Sequence, residues 1–210
     1  MVYFYQSLHE ENTTHPYWLI TGKDKFENDL LIKYGYRESN MIWFHADKYS
    51  SGHIYLKLHD KDKGIDDIPK DVLLDVLQLC KSSSIHGNKL PECRIIYTPW
   101  YNLKKSGTMN PGEVSFKSTR FVQRIMCYQR NQKILNRLQK TRVEVDDLHS
   151  IVQESNYFKS VQCLLSAAKA SKDPDFLLDY VKKNKDFLIE QEKLKKVRKK
   201  QKKREEQESL

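Results

Sequence analysis

The chain has 210 residues, 39% hydrophobic and 31% charged, enough apolar material for one core with a large polar remainder. No run of 18 apolar residues occurs and the opening MVYFYQ lacks the basic and apolar regions of a secretory signal, so no membrane span is expected and a soluble, cytoplasmic protein is. The net charge of +9 is concentrated: residues 193–204 carry nine basic side chains and no acid, while residues 1–192 hold 28 basic against 25 acidic.

A near-neutral body with a cationic extension suits a polyanionic partner, and a lysine tail does not distinguish RNA from DNA. Cys80, Cys93, Cys127 and Cys163 lie 13, 34 and 36 residues apart, with no CxxC pair and no Cys-His couple at zinc spacing. Free thiols, no metal and no cofactor are therefore expected.

In chain order, residues 2–6 and 16–21 read as strands separated by the turn-prone EENTTH. A helix follows in KDKFENDLLIKYG. Phe26, Leu30 and Tyr34 form its apolar line, Asp24 and Glu27 a capping-box-like start, and Gly35 its stop. Residues 41–46 and 53–58 alternate as two antiparallel strands joined by DKYSSG. A second helix starts at Asp66, Asp67 and Pro69 and buries Val72, Leu73, Val76, Leu77 and Cys80. CRIIYTP is a further strand, and WYNLKKSGTMNPGEVSF a loop closing on a short strand at 113–116.

Beyond that point the pattern reads as wholly helical. Short helices are marked by Ile134, Leu135 and Leu138, by Leu148, Ile151 and Val152, and by Phe158, Val161, Leu164 and Leu165. A long last helix runs from Pro174 past Lys193, with Leu177, Tyr180, Val181, Phe187, Leu188, Leu194 and Val197 near heptad spacing. The expected fold is α/β (α+β): one mixed or antiparallel sheet with packed helices in residues 1–117, a helical extension over 118–173, and a C-terminal helix with a basic tail over 174–210.

Three stretches are candidates for chemistry. Alternation puts Ile42, Phe44 and Ala46 on one face with Ile54, Leu56 and Leu58, leaving Met41, Trp43, His45, His53, Tyr55 and Lys57 on the other. Exposed, that aromatic and cationic face would stack bases and hold phosphates; covered by helices, it is ordinary core. A metal site at His45, Asp47 and His53 lacks a third strong ligand at fixed spacing, and Ser50 and Ser51 have no nucleophile-elbow pattern. In TGKDKFEND, Lys23 and Lys25 flank a helix start able to bind phosphate, although the sequence is not a Walker loop. In TPWYNLKKSG, Trp100, Tyr101, Lys104 and Lys105 interleave rings and cations, a nucleic-acid contact if exposed and a loop anchored by Trp100 if buried.

The ordered set GKDKFENDLLI, WFHADKYSSGHIYLKL, IIYTPWYNLKK and MNPGEVSF resembles the NFACT-R domain, the predicted RNA-binding module of NEMF-type ribosome quality-control proteins and of bacterial fibronectin-binding-protein-A relatives. The likeness covers roughly residues 1–117. Gly22, Asn28 and Asp29, His45 and Ala46, and Gly52 and His53 fall where that pattern is strongest. The whole chain is more similar to the small stand-alone members, the coiled-coil domain-containing protein 25 family and its fungal J-like relatives, in its MV-aromatic-aromatic opening, KILNRLQKTRVE helix and lysine-rich tail. The glycosylase-like domains and long central coiled coil of the large members are absent from this sequence, so roles that depend on them, including nascent-chain extension, are not implied.

The resemblance implies a non-enzymatic RNA binder associated with tRNA, rRNA or the ribosome. The expected contacts are Lys23, Lys25, Asn28, Asp29, Trp43, His45, Lys48, Ser51, Gly52, His53, Tyr55, Lys57, Trp100, Lys104 and Lys105, with Lys195, Lys196, Arg198, Lys199, Lys200, Lys202, Lys203 and Arg204 adding a sequence-independent grip. The alternatives are a protein adaptor docking through a C-terminal coiled coil, and a DNA binder using the tail.

Overall fold

In a computed structural model, residues 1–9, 12–147 and 157–208 are described. Seven strands form one sheet: β1 (Val2–His9), β2 (Asn12–Gly22), β3 (Met41–Ala46), β4 (Ile54–Lys57), β5 (Cys93–Pro99), β8 (Gln123–Cys127) and β9 (Val143–Val145). Their order is β8-β5-β3-β4-β2-β1-β9, and every neighbouring pair is antiparallel. A separate small hairpin pairs β6 (Leu103–Lys104) with β7 (Ser115–Phe116). The expectation of one sheet with packed helices holds.

Helices lie on both faces. Ile42, Phe44, Ile54, Leu56 and Leu58 share one face, as their alternation requires, and meet Val72, Val76 and Cys80 of α2 (Lys70–Ser83) and Ile134 and Leu138 of α3 (Gln132–Thr141). On the opposite face Trp18, Ile20, Trp43 and Tyr55 are covered by Leu31 of α1 (Lys25–Tyr34) and Leu103 of the hairpin. The same layer contains Leu164 of α4 (Val161–Ser171), Leu177 of α5 (Phe176–Lys183) and Leu188 of α6 (Lys185–Glu208). The result is a three-layer arrangement in which both sheet faces are dry.

Asp24 caps α1, accepting from the backbone N–H groups of Phe26 and Glu27. The burial of that helix differs from the expected line: Leu31 and Ile32 point inward, while Phe26 is 60% exposed. Gly35 ends it with extended backbone, and a Cβ there would lie 2.4 Å from the Trp100 ring. The glycine is required by that close approach.

Three further features depart from the sequence reading. The region after Phe116 is not wholly helical, since β8 and β9 supply both edges of the sheet. The last helix is two, α5 and α6, because Asn184 turns its amide back onto the Tyr180 carbonyl at 2.8 Å and closes α5. The helix expected around Leu148, Ile151 and Val152 lies outside the described residues.

Candidate nucleic-acid interface

A cleft of about 1040 Å³ opens where β2 ends, beyond the β3–β4 connection and the C-terminus of α2. Gly22, Lys23, Lys25 and Asn28 line one side, and His45, Lys48, Ser51, Gly52 and His53 another. Two of the expected stretches, far apart in sequence, thus meet at one place.

Short hydrogen bonds lock the seam between them. Asn28 accepts from the Gly22 N–H at 2.8 Å, and a Cβ on Gly22 would lie 2.5 Å from the Asn28 backbone nitrogen. Glycine therefore lets β2 run directly against the start of α1. The Ser51 hydroxyl accepts from Ala46 N–H at 3.0 Å, and Gly52 N–H donates to Ser83 Oγ at 2.8 Å. Ser83, at the end of α2, is the joint between that helix and the cleft floor.

Asp29 is buried and structural. Its carboxylate takes Lys105 at 2.6 Å, Lys33 at 2.7 Å and the Gly112 N–H at 3.1 Å, clamping the 103–116 hairpin onto α1. Burial opposes its charge, yet the bonds from Lys105 and Lys33 prevail and hold its pKa below the usual carboxylate value. Lys105 also donates to the carbonyls of Asn110 and Glu113. It is a clamp rather than an open cation, whereas Lys104 is exposed.

The open aromatic face is corrected. Trp43, Tyr55 and Trp100 are each 1% exposed and His53 is 3% exposed, because Phe116 packs edge-on against Trp43 and Trp100 tilts over Tyr55. No base can stack on rings so covered. Lys57 is buried too and pairs with Asp175 at 3.1 Å, at the far end of β4. Of this set only His45, half-buried, reaches the cleft together with an edge of His53.

Both histidines are held uncharged near neutral pH. Trp43 Nε1 donates to His53 Nδ1 at 2.8 Å, which leaves the His53 proton on Nε2. Burial pushes the His53 pKa down to about 3, with nearby His45 adding to the effect and a bond to the Gly112 backbone working against it. Burial also lowers His45, opposed by bonds to the backbone of Ala46 and Ser51. Among the described residues no group of three or more His, Cys, Asp or Glu side chains is placed to hold a metal ion.

Sequence reasoning missed three contributors to the cleft: Ser83, Gly112 and Arg130. Among the described residues Arg130 donates to Asn88 and Gln132 and not to a carboxylate. It sits in a stretch where edge strand and helix meet, for which no periodic signal exists.

The basic tail divides in two. Lys195 bonds to Glu144 at 2.9 Å and to Asp146, and Arg142 of the same edge bonds to Glu192, so the first half of α6 is fastened to β9. Lys195 is thereby corrected from an open grip to a docking residue. Lys196 pairs with Glu192 and Lys202 lies 3.9 Å from Glu206, while Arg198, Lys199, Lys200, Lys203 and Arg204 stand exposed along the helix.

The chain is similar to known proteins along its length. Protein JLP2 of Saccharomyces cerevisiae is 55% identical over 209 residues, covering 100% of this chain and 94% of that one. Coiled-coil domain-containing protein 25 of Bos taurus is 44% identical over 144 residues, covering 69% of this chain and 67% of that one. Residues 1–118 match the family described as NFACT protein RNA binding domain, and they contain the α1 start, the β3–β4 loop and the hairpin clamp. The chain belongs to the NFACT-R family.

Proposed function

We propose that the protein binds structured RNA, tRNA or rRNA, through this cleft, as a non-enzymatic component of a ribosome-associated or translation quality-control process in the cytoplasm. The observation that carries the reading is electrostatic. Lys23, Lys25, Lys48 and Arg130 line the cleft, and among the described residues none of the four is paired with a carboxylate. Its two acids are occupied, Asp24 by the α1 cap and Asp47 near Arg94 and Arg124. Unneutralised cations around a pocket with rigid polar walls fit a folded phosphate backbone, and the family's description as RNA binding points the same way.

Neutral, buried histidines favour a binder over a catalyst, since His53 Nδ1 accepts from Trp43 and the ring is 3% exposed. The exposed half of α6 adds a sequence-independent attraction. The adaptor reading rests on Leu194 and Val197, 44% and 51% exposed on that helix, with no apolar residue after them before Leu210. Two residues make a short seam for a coiled coil. Partners retained undiminished after nuclease treatment of a lysate would favour that alternative.

The test is an anisotropy titration of the full chain against tRNA and length-matched duplex DNA across a salt series, repeated with Lys23→Glu, Lys25→Glu and Lys48→Glu combined. The expected result is a preference for tRNA that falls more than tenfold on charge reversal in the cleft. Equal affinity of the triple variant and the parent would overturn the assignment of the cleft, and a preference for duplex DNA would overturn RNA as the ligand.

A further inference from the structure

At the opposite end of the sheet, two short 3-10 turns, Trp100–Asn102 and Thr119–Phe121, stand together beyond β5 and before β8. Each turns one ring outward. Tyr101 is 47% and Phe121 51% exposed, with centroids 6.5 Å apart at an interplanar angle of 72°. Beneath them is a buried polar lattice: Asn102 donates to Thr98 Oγ1 at 2.9 Å and to the Ser118 carbonyl at 2.8 Å, and accepts from Ser118 N–H at 2.9 Å. Thr98 in turn donates to the Phe121 carbonyl at 2.9 Å. Thr98 and Asn102 are 0% and 2% exposed, and a fully satisfied buried network of this kind fixes a single geometry. The two rings are therefore presented to solvent on a rigid support.

A hollow of about 500 Å³ adjoins the pair, and its charged lining is Arg37, Lys63 and Arg120 against Glu38. Arg37 is spent on the carbonyls of Leu103 and Ile32. Arg120 and Lys63 make no side-chain ion pair among the described residues. Outward rings beside unpaired cations match the two chemistries of a nucleotide, a π face and a phosphate. An apolar peptide would meet the rings but leave the positive charge unanswered.

We propose that Tyr101 and Phe121 form a stacking subsite for an unpaired base of a single-stranded RNA segment, with Arg120 holding the adjacent phosphate. The inference rests on the RNA-binding reading and adds a preference for strand type. The subsite lies at the Met41 end of β3 and the cleft at the Ala46 end, a span of roughly 17 Å for a strand of that length. One RNA whose folded part sits in the cleft can reach the rings with a short unpaired stretch.

The experiment uses the full chain, a 12-nucleotide single-stranded RNA carrying 5-iodouridine, and the matching RNA duplex. Titrations compare the parent with Tyr101→Ala/Phe121→Ala, Phe121→Trp and Arg120→Gln, each checked by thermal melting. Both rings are half exposed, so the variants are expected to fold. The expected result is a roughly tenfold loss of single-strand affinity in the double alanine variant, less than a twofold change for duplex, and retention in Phe121→Trp. Arg120→Gln should lower the single-strand salt slope by about one, and photocrosslinks should map to Tyr101 or Phe121.

Unchanged single-strand affinity with crosslinks elsewhere would overturn the subsite and leave the RNA reading standing. An equal loss for duplex, or rings that take up a proline-rich or acidic peptide while RNA binding is unaffected, would also overturn it. If the parent binds neither RNA nor tRNA, the functional reading falls and the subsite falls with it.

Discussion

His53 shows how a residue that looks reactive in sequence becomes structural in the fold. It receives the Trp43 indole proton and sits in a nearly dry setting. Its folded pKa of about 3 is far below the ordinary 6.5, so as the pH falls below 6.5 the unfolded chain takes up a proton that the folded chain refuses. The stabilisation is complete above pH 6.5 and is lost toward pH 3, at about 1.4 kcal/mol per pH unit. His53→Gln keeps an acceptor for Trp43 but cannot titrate. Urea midpoints of parent and variant should therefore converge or cross on acidification, the parent losing about 2 kcal/mol relative to the variant between pH 6.5 and 5. Parallel curves would show that His53 is hydrated when folded. The alternation of residues 41–46 and 53–58 made the strand pair legible and left two readings of its second face. Alternation specifies which side chains share a face, not what covers it: here the cover over Trp43 and Tyr55 is Phe116 and Trp100. The convergence of Gly22 with Gly52 was likewise invisible, since it depends on β2 and β4 being neighbours.

At the scale of elements, α6 is joined to the sheet edge by charge as well as by Leu188. Burial works against the Lys195 charge, yet its bonds to Asp146 and Glu144 outweigh burial and raise its pKa. Lys195 is 40% exposed, so solvent screens much of that interaction. Lys195→Ala is expected to destabilise by about 1 kcal/mol, lowering the melting temperature by ~2–4 °C, with faster amide exchange in the first turns of α6. Lys199→Ala, on the free half, should leave the melting temperature unchanged. An identical effect of the two substitutions would mean that α6 is not held through Lys195. The apolar spacing from Leu177 to Leu188 announced helix but not the break, because Asn184 is a modest local signal set within a long pattern. The strands β8 and β9 were missed for a different reason. QRIMC and VEV are too short for an alternation signal, and each becomes a strand by joining an edge that already exists.

On the scale of the whole molecule, α6 leaves the body at β9 as a continuous helix, so its outer cations are displayed in a set direction. Removing residues 198–210 takes away Arg198, Lys199, Lys200, Lys202, Lys203 and Arg204 while sparing Lys195. The slope of log affinity against log salt for tRNA should flatten by about four if these cations engage, with the melting temperature preserved. An unchanged slope would show that the outer helix does not touch RNA. The charge asymmetry behind this prediction was legible from composition alone, but where the docked half ends and the free half begins was not, since Lys195 and Lys199 look alike in sequence.

At one edge of the sheet the pairing joins Val2 to Val145. Strand β1, early in the chain, is thus completed late, because its second partner β9 is made only after more than a hundred further residues have been synthesised. Until then β1 has one edge without its native neighbour, and contacts so distant in sequence slow the search for the native state. Nascent chains stalled before Val145 should be protease-sensitive at β1 and prone to associate with one another, whereas chains released beyond it can close the sheet.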